Sequence, residues 1–141
     1  MRILTIISMF LLFTSISFAQ SPIGKWKTID DETKEKKSIV EIYEENGKLY
    51  AKVIQLFREP DEDQNPLCEE CKGDRKDQPI LGMIIMWDME QDDDEWEGEI
   101  LDPENGKTYS CFIELEEANK LKVRGYIGFS FIGRTQYWYR Q

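Results

Sequence analysis

Glu45-Asn46-Gly47 separates two runs rich in β-branched and apolar residues, Lys37–Glu44 and Lys48–Phe57, and it constrains the fold more than any other stretch of the chain. Asn-Gly tolerates the positive φ that a two-residue hairpin turn demands, so the two runs are expected to pair as antiparallel strands. Their phases agree. Val40 and Ile42 fall on one face of the first strand, and Leu49, Ala51 and Val53 on one face of the second.

The same grammar continues along the chain. Gly24–Thr28 precedes the hairpin, and an apolar run, Leu81–Met89, follows an irregular stretch, Arg58–Pro79. Trp96–Ile100 alternates apolar or small residues with carboxylates. Asp102-Pro103-Glu104-Asn105-Gly106 then turns the chain into Thr108–Leu115, where Tyr109, Cys111 and Ile113 share a face. Leu121, Val123 and Gly125 alternate with Lys120, Lys122 and Arg124, which places Arg124 on the outward face, and Thr135–Tyr139 is strongly aromatic. No segment has a helical period, and no crossover helix is available for a parallel sheet. About eight strands joined mostly as hairpins predict an all-β, antiparallel up-and-down barrel, because closing the first strand onto the last removes two exposed edges.

The first residues predict a compartment. Arg2, the apolar run Ile3–Phe13 and the small residues Ser17 and Ala19 form a secretory signal peptide over residues 1–19, cut after Ala19. Residues 20–141 then constitute a single barrel domain, periplasmic or secreted. Without Arg2, one of the 18 basic residues, they carry 17 basic and 28 acidic side chains, a net charge of −11. Such a balance opposes binding to nucleic acid and to anionic lipid heads, and no later stretch is apolar enough for membrane insertion after signal cleavage.

Histidine is absent. Imidazole acid–base catalysis, His-activated nucleophiles and His-ligated zinc are therefore excluded. Carboxylate catalysis by Glu97, Glu99 and Asp102 is not expected, since Glu97 and Glu99 face away from Trp96 and Ile100, and Asp102 caps a turn. Asp88–Glu99 lacks the ligand order of a calcium loop. No metal site, cofactor or catalytic residue is expected.

Cys68-Glu69-Glu70-Cys71 is the remaining candidate for chemistry. In an exported protein, two cysteines so close in sequence are expected to form a disulfide that staples the long connection. Redox exchange and a metal site completed by carboxylates are the alternatives; Glu69 and Glu70 oppose a thiolate, while Lys72, Arg75 and Lys76 favour one. Cys111, in phase with Tyr109 and Ile113, is expected to be a buried small hydrophobe.

Gly24-x-Trp26 at the start of a β-meander resembles the lipocalin-type arrangement, in which a tryptophan on the first strand packs under an arginine from the end of the barrel; Arg134 and Arg140 are the candidate partners. A broader resemblance covers nearly all of residues 20–141. It is carried by Ile39–Tyr43, Asn46–Tyr50, Cys68-x-x-Cys71 with Gly73, Pro79–Gly82, Ile100–Tyr109, and Leu121–Tyr126 through Gly133-Arg134-Thr135 to Trp138. On these residues the chain is similar to a family of exported bacterial proteins known as a domain of unknown function. That resemblance implies a lipocalin-like (calycin-type) barrel and implies no chemistry.

An eight-stranded barrel is just wide enough to be filled by its own side chains or to hold one small ligand. Met83, Ile85, Trp87 and Met89 share one phase, and Trp96 and Tyr109 lie on neighbouring strands; pointing inward, they would line a pocket for a small hydrophobic or amphipathic molecule. The leading expectation is such a ligand-binding barrel without catalysis. The alternatives are a cell-envelope or protein-interaction module acting through its surface or the Cys68–Cys71 loop, and a thiol–disulfide enzyme.

Overall fold

The computed structural model describes residues 20–141, so the expected signal peptide lies outside the described residues. Eight antiparallel strands follow one another: β1 (Gly24–Ile29), β2 (Lys36–Glu45), β3 (Lys48–Leu56), β4 (Ile84–Asp92), β5 (Glu95–Asp102), β6 (Lys107–Glu117), β7 (Lys120–Tyr126) and β8 (Gly133–Arg140). Each pairs with its sequence neighbour, and β8 returns to β1 through Trp26 opposite Arg140 and Lys27 opposite Tyr139, closing the barrel. The Asn46-Gly47 turn forms as its sequence demands. Both residues adopt a positive φ (53° and 79°), and Val40 faces Val53 and Ile42 faces Ala51 across the hairpin.

Trp26, Leu49, Met86, Met89, Ile113 and Leu121 point into the interior, where each is fully buried. In this up-and-down order, the turns after β2, β4 and β6 sit with the start of β1 and the end of β8 at one end, the base. The connections after β1, β3, β5 and β7 gather at the other, the mouth.

Strand β4 departs from the sequence expectation in two ways. It begins at Ile84 rather than Leu81, because Gly82 takes a positive φ and the Met83 N–H bonds back to the Ile80 carbonyl (3.1 Å). Its phase is also broken twice. Ala51 lies opposite Met86 but Lys52 opposite Ile84, and a second slip falls between Trp87 and Glu90, where Asp88 sits at φ 54°. Met86 and Met89 consequently both point inward, while Trp87 turns to the outer wall. Gly98 on β5 accommodates the second bulge: a Cβ there would lie 2.7 Å from both Met89 Sδ and the Trp87 carbonyl oxygen.

The long β3–β4 connection is ordered by its own backbone. Leu67 bridges Pro79, the Cys68 N–H bonds to the Gln78 carbonyl (2.8 Å), and the Asp77 N–H to the Cys68 carbonyl (2.9 Å). Cys68 and Cys71 are joined by a disulfide. By its unbroken register with β6, Leu101 lies on the outward face of β5 (its neighbour Ile100 faces inward), yet it is only 4% exposed. The stapled connection covers it: Cys68 Sγ is 3.4 Å from the Pro103 carbonyl, and both cysteines are buried in one apolar cluster with Ile85 and Leu101.

Candidate functional site

The base of the barrel is sealed by one guanidinium. Arg140 stacks 4.3 Å above the Trp26 ring and donates to three carbonyls: Ile23 (3.0 Å), Ser21 (2.9 Å) and Ala118 (2.9 Å). Trp26 Nε1 donates to the Pro22 carbonyl at 2.7 Å. Gly24 is required here, since its φ of 137° disfavours a side chain and an added Cβ would meet Arg140 at 2.8 Å. Of the two arginines expected to close the barrel, Arg140 performs the closure. Arg134 does not: it sits at the far end of β8, opposite Gly125. One arginine near the start of the strand and another at its end are six residues' rise apart, and only tertiary pairing distinguishes them.

At the mouth Arg134 forms an ion pair with Asp31 from the β1–β2 connection, its Nε donating to Asp31 Oδ2 at 2.6 Å, and Gln136 Nε2 approaches the same oxygen at 3.5 Å. The hydrogen bond to Asp31 raises the arginine's pKa, and the nearby charges of Asp102 and Asp30 reinforce it. Neighbouring Asp30 has its pKa lowered by backbone N–H groups of Thr33 and Glu32, with Lys37 adding attraction. Beneath this polar rim the inward-facing Leu56, Ile100, Tyr109 and Gln136 are only partly buried. Gly125 lets Tyr109 and Ile100 pack close to the β7 backbone. The Tyr109 hydroxyl accepts from Asn105 Nδ2 at 2.9 Å.

The expected pocket residues thus separate. Tyr109 faces inward at the mouth. Trp96 faces inward near the base, half-buried, beside a hollow of about 360 Å³ whose other walls include Pro22, Asp93, Asp94 and Glu114. Met83 and Ile85 are buried where the stapled connection joins the barrel. Trp87 does not line the interior. On the outer wall its Nε1 donates to Glu99 (2.8 Å), and the Arg75 guanidinium lies 4.3 Å from its ring, so it clamps the stapled connection to the barrel. The bulge at Asp88 is the reason, and a positive φ at an aspartate had no separate sequence signal. Trp138 Nε1 is buried inside the barrel without a hydrogen-bond partner among the described residues.

The sulfurs offer little reactivity. Cys68 and Cys71 are 0% and 2% exposed, and an exchange enzyme requires an accessible sulfur. Burial pushes the Cys111 thiol up to about 12.

Residues 24–140 match the model of a family described as "Uncharacterized protein conserved in bacteria (DUF2147)". Among solved structures the chain is similar to protein HP1028 from Helicobacter pylori, described as belonging to the lipocalin family. The TM-score is 0.73 at 20% identity, covering 87% of this chain and 84% of that one. No curated protein matches the chain.

Proposed function

The chain belongs to this uncharacterised bacterial family and folds as a lipocalin-like barrel, and on that premise we propose that it is an exported, non-catalytic protein that binds a small apolar or amphipathic molecule at the barrel mouth. The gradient of burial along the interior carries this reading. Toward the base Trp26, Met89, Ile113 and Leu121 have no exposed surface, with Trp96 and Leu115 half-buried at the edge of the hollow there. Toward the mouth Leu56, Ile100 and Tyr109 are half-buried under a rim that presents a guanidinium and a carboxamide, Arg134 and Gln136. An apolar segment would lie against the first group and a polar head would meet the second. The buried side chains of Trp26, Met89, Ile113 and Leu121 limit the ligand to a small molecule or to one end of a longer one.

Native mass spectrometry of the protein purified from its own source would show a retained ligand. Titration with N-phenyl-1-naphthylamine, followed by fluorescence, should give saturable one-to-one binding. Tyr109→Ala should weaken it about tenfold, the effect of losing roughly 1.4 kcal/mol of contact. Non-saturable binding, or binding unchanged in a folded Tyr109→Ala protein, would refute the mouth as the site.

A further inference from the structure

We propose that the outer wall formed by β7, β8 and β1, together with the β7–β8 loop, docks on the surface of an anionic lipid bilayer. Charge in this chain is segregated by strand. The outward cations are Lys25 and Lys27 on β1 and Lys120, Lys122 and Arg124 on β7, with the uncharged outward face of β8 between them; none of the three strands has an acidic residue, while Arg134 and Arg140 lie in the inward phase of β8, held at the two ends of the barrel. The three strands are adjacent in the closed barrel, so they make a basic sector, bordered by the carboxylates of Glu41 opposite Lys25 and Glu114 opposite Lys122 on the flanking strands. The net charge averages over this separation.

The register shows which side chains face outward. Trp138 and Leu121 point in, so Tyr137, Tyr139, Lys120 and Lys122 point out, with Tyr139 between Lys27 and Lys120. Lys120 lies over the Tyr137 ring at 4.5 Å and within 3.6 Å of Glu116. Lys25, Lys27 and Arg124 are in no ion pair among the described residues. This is a face of cations and tyrosines.

The loop beyond it is its apolar continuation. Residues 127–133 contain no charge, although a third of the chain is charged. Ile127, Phe129, Phe131 and Ile132 are 59–75% exposed, and the Phe129 and Phe131 rings stack at 5.4 Å. Arg124, outward-facing by register, donates from Nε to the Ser130 carbonyl (2.6 Å) and from its terminal nitrogen to Thr135 Oγ1 (2.8 Å). The loop is therefore held on the side of the basic wall, and its exposed rings are preorganised.

Two features together select the occupant. A polyanion would use the cations and leave the phenylalanines in water. A second copy of the chain would need about 800 Å² from each partner, whereas the four loop side chains offer roughly 500 Å². A bilayer of anionic lipid meets both demands, with hydrocarbon for the loop and phosphates for the wall. The inference does not depend on a ligand at the mouth.

Flotation of residues 20–141, which contain all eight described strands and both ends of the barrel, tests it. Vesicles of phosphatidylglycerol and phosphatidylethanolamine should bind the protein about tenfold better than vesicles of phosphatidylcholine, and added salt should weaken the binding. Phe129→Ser with Phe131→Ser should lower binding about tenfold, and Lys27→Glu with Lys122→Glu should abolish the preference for phosphatidylglycerol. All four side chains lie on the outer surface, and circular dichroism would verify that the barrel is intact. Equal binding to both vesicles, no binding to either, or binding to heparin with vesicle binding unaffected by the phenylalanine substitutions would each overturn the proposal.

Discussion

The two ends of the barrel solve the same problem by different means. At the base a fully buried tryptophan carries a guanidinium that satisfies three backbone carbonyls. At the mouth an arginine whose side chain is 64% exposed pairs with Asp31 above half-buried side chains. The first arrangement removes a large aromatic surface from water and gives the carbonyls of Ser21, Pro22, Ile23 and Ala118 a donor. The second leaves its charges in solvent, where an ion pair contributes little. Sealed packing is thus concentrated at the end where β1 begins and β8 finishes, and half-buried side chains gather at the end with the longest connections.

The comparison can be broken most directly at Trp26. Trp26→Ala should cost about 3–5 kcal/mol in urea unfolding, because it opens a cavity and strands Arg140. Arg134→Ala, the matching change at the mouth, should cost less than about 1 kcal/mol. Comparable losses would show that the mouth is as structural as the base.

Gly106→Ala comes next. Gly106 has φ 70°, and a Cβ would fall 1.9 Å from the Glu70 carbonyl oxygen, so the stapled connection must lift from the β5–β6 turn. About 2–3 kcal/mol should be lost, with faster proteolysis within residues 57–83. Reducing or replacing the Cys68–Cys71 bond should cost about 2 kcal/mol on the chain-entropy model, since the closed loop is short. If replacement instead abolished folding, the connection would belong with the base as a core element.

Cys111 offers the smallest effect near neutrality and a directional one at high pH. Its folded pKa of about 12 lies above the ordinary 9.0, so the neutral thiol's contribution is complete below pH 9 and is lost as pH rises toward 12. A Cys111→Ala protein should lack that part of the alkaline destabilisation. Iodoacetamide at neutral pH should label Cys111 only after denaturation; rapid labelling of the native protein would contradict its burial.

Local chemistry made the barrel legible. Asn46-Gly47 sets a turn, period-two alternation sets each strand's faces, and eight such strands without a crossover helix leave few alternatives to closure. Gly24 and Trp26 were recognisable only through the resemblance to the lipocalin-type Gly-x-Trp arrangement, since the group that constrains both, Arg140, lies at the other end of the sequence. The candidate site was less accessible. The phase of Leu81–Met89 suggested Trp87 as an interior residue, but bulges are set by what lies across the strand. Here Asp88 and Gly98 together invert the pattern. Leu101 similarly is outward on β5 and buried only because a connection made some thirty residues earlier folds over it.

The chain's own order of residues determined the strands, their number, the hairpin turns, the absence of imidazole chemistry and the pairing expected of Cys68 with Cys71. All of these follow from covalent neighbours and composition. Tertiary structure alone decided that Arg140 and not Arg134 covers Trp26, that Trp87 faces out, and that β1 and β7 bring their outward cations to either side of β8. β1 and β8 lie at opposite ends of the sequence, more than a hundred residues apart, and only closure of the barrel makes them neighbours.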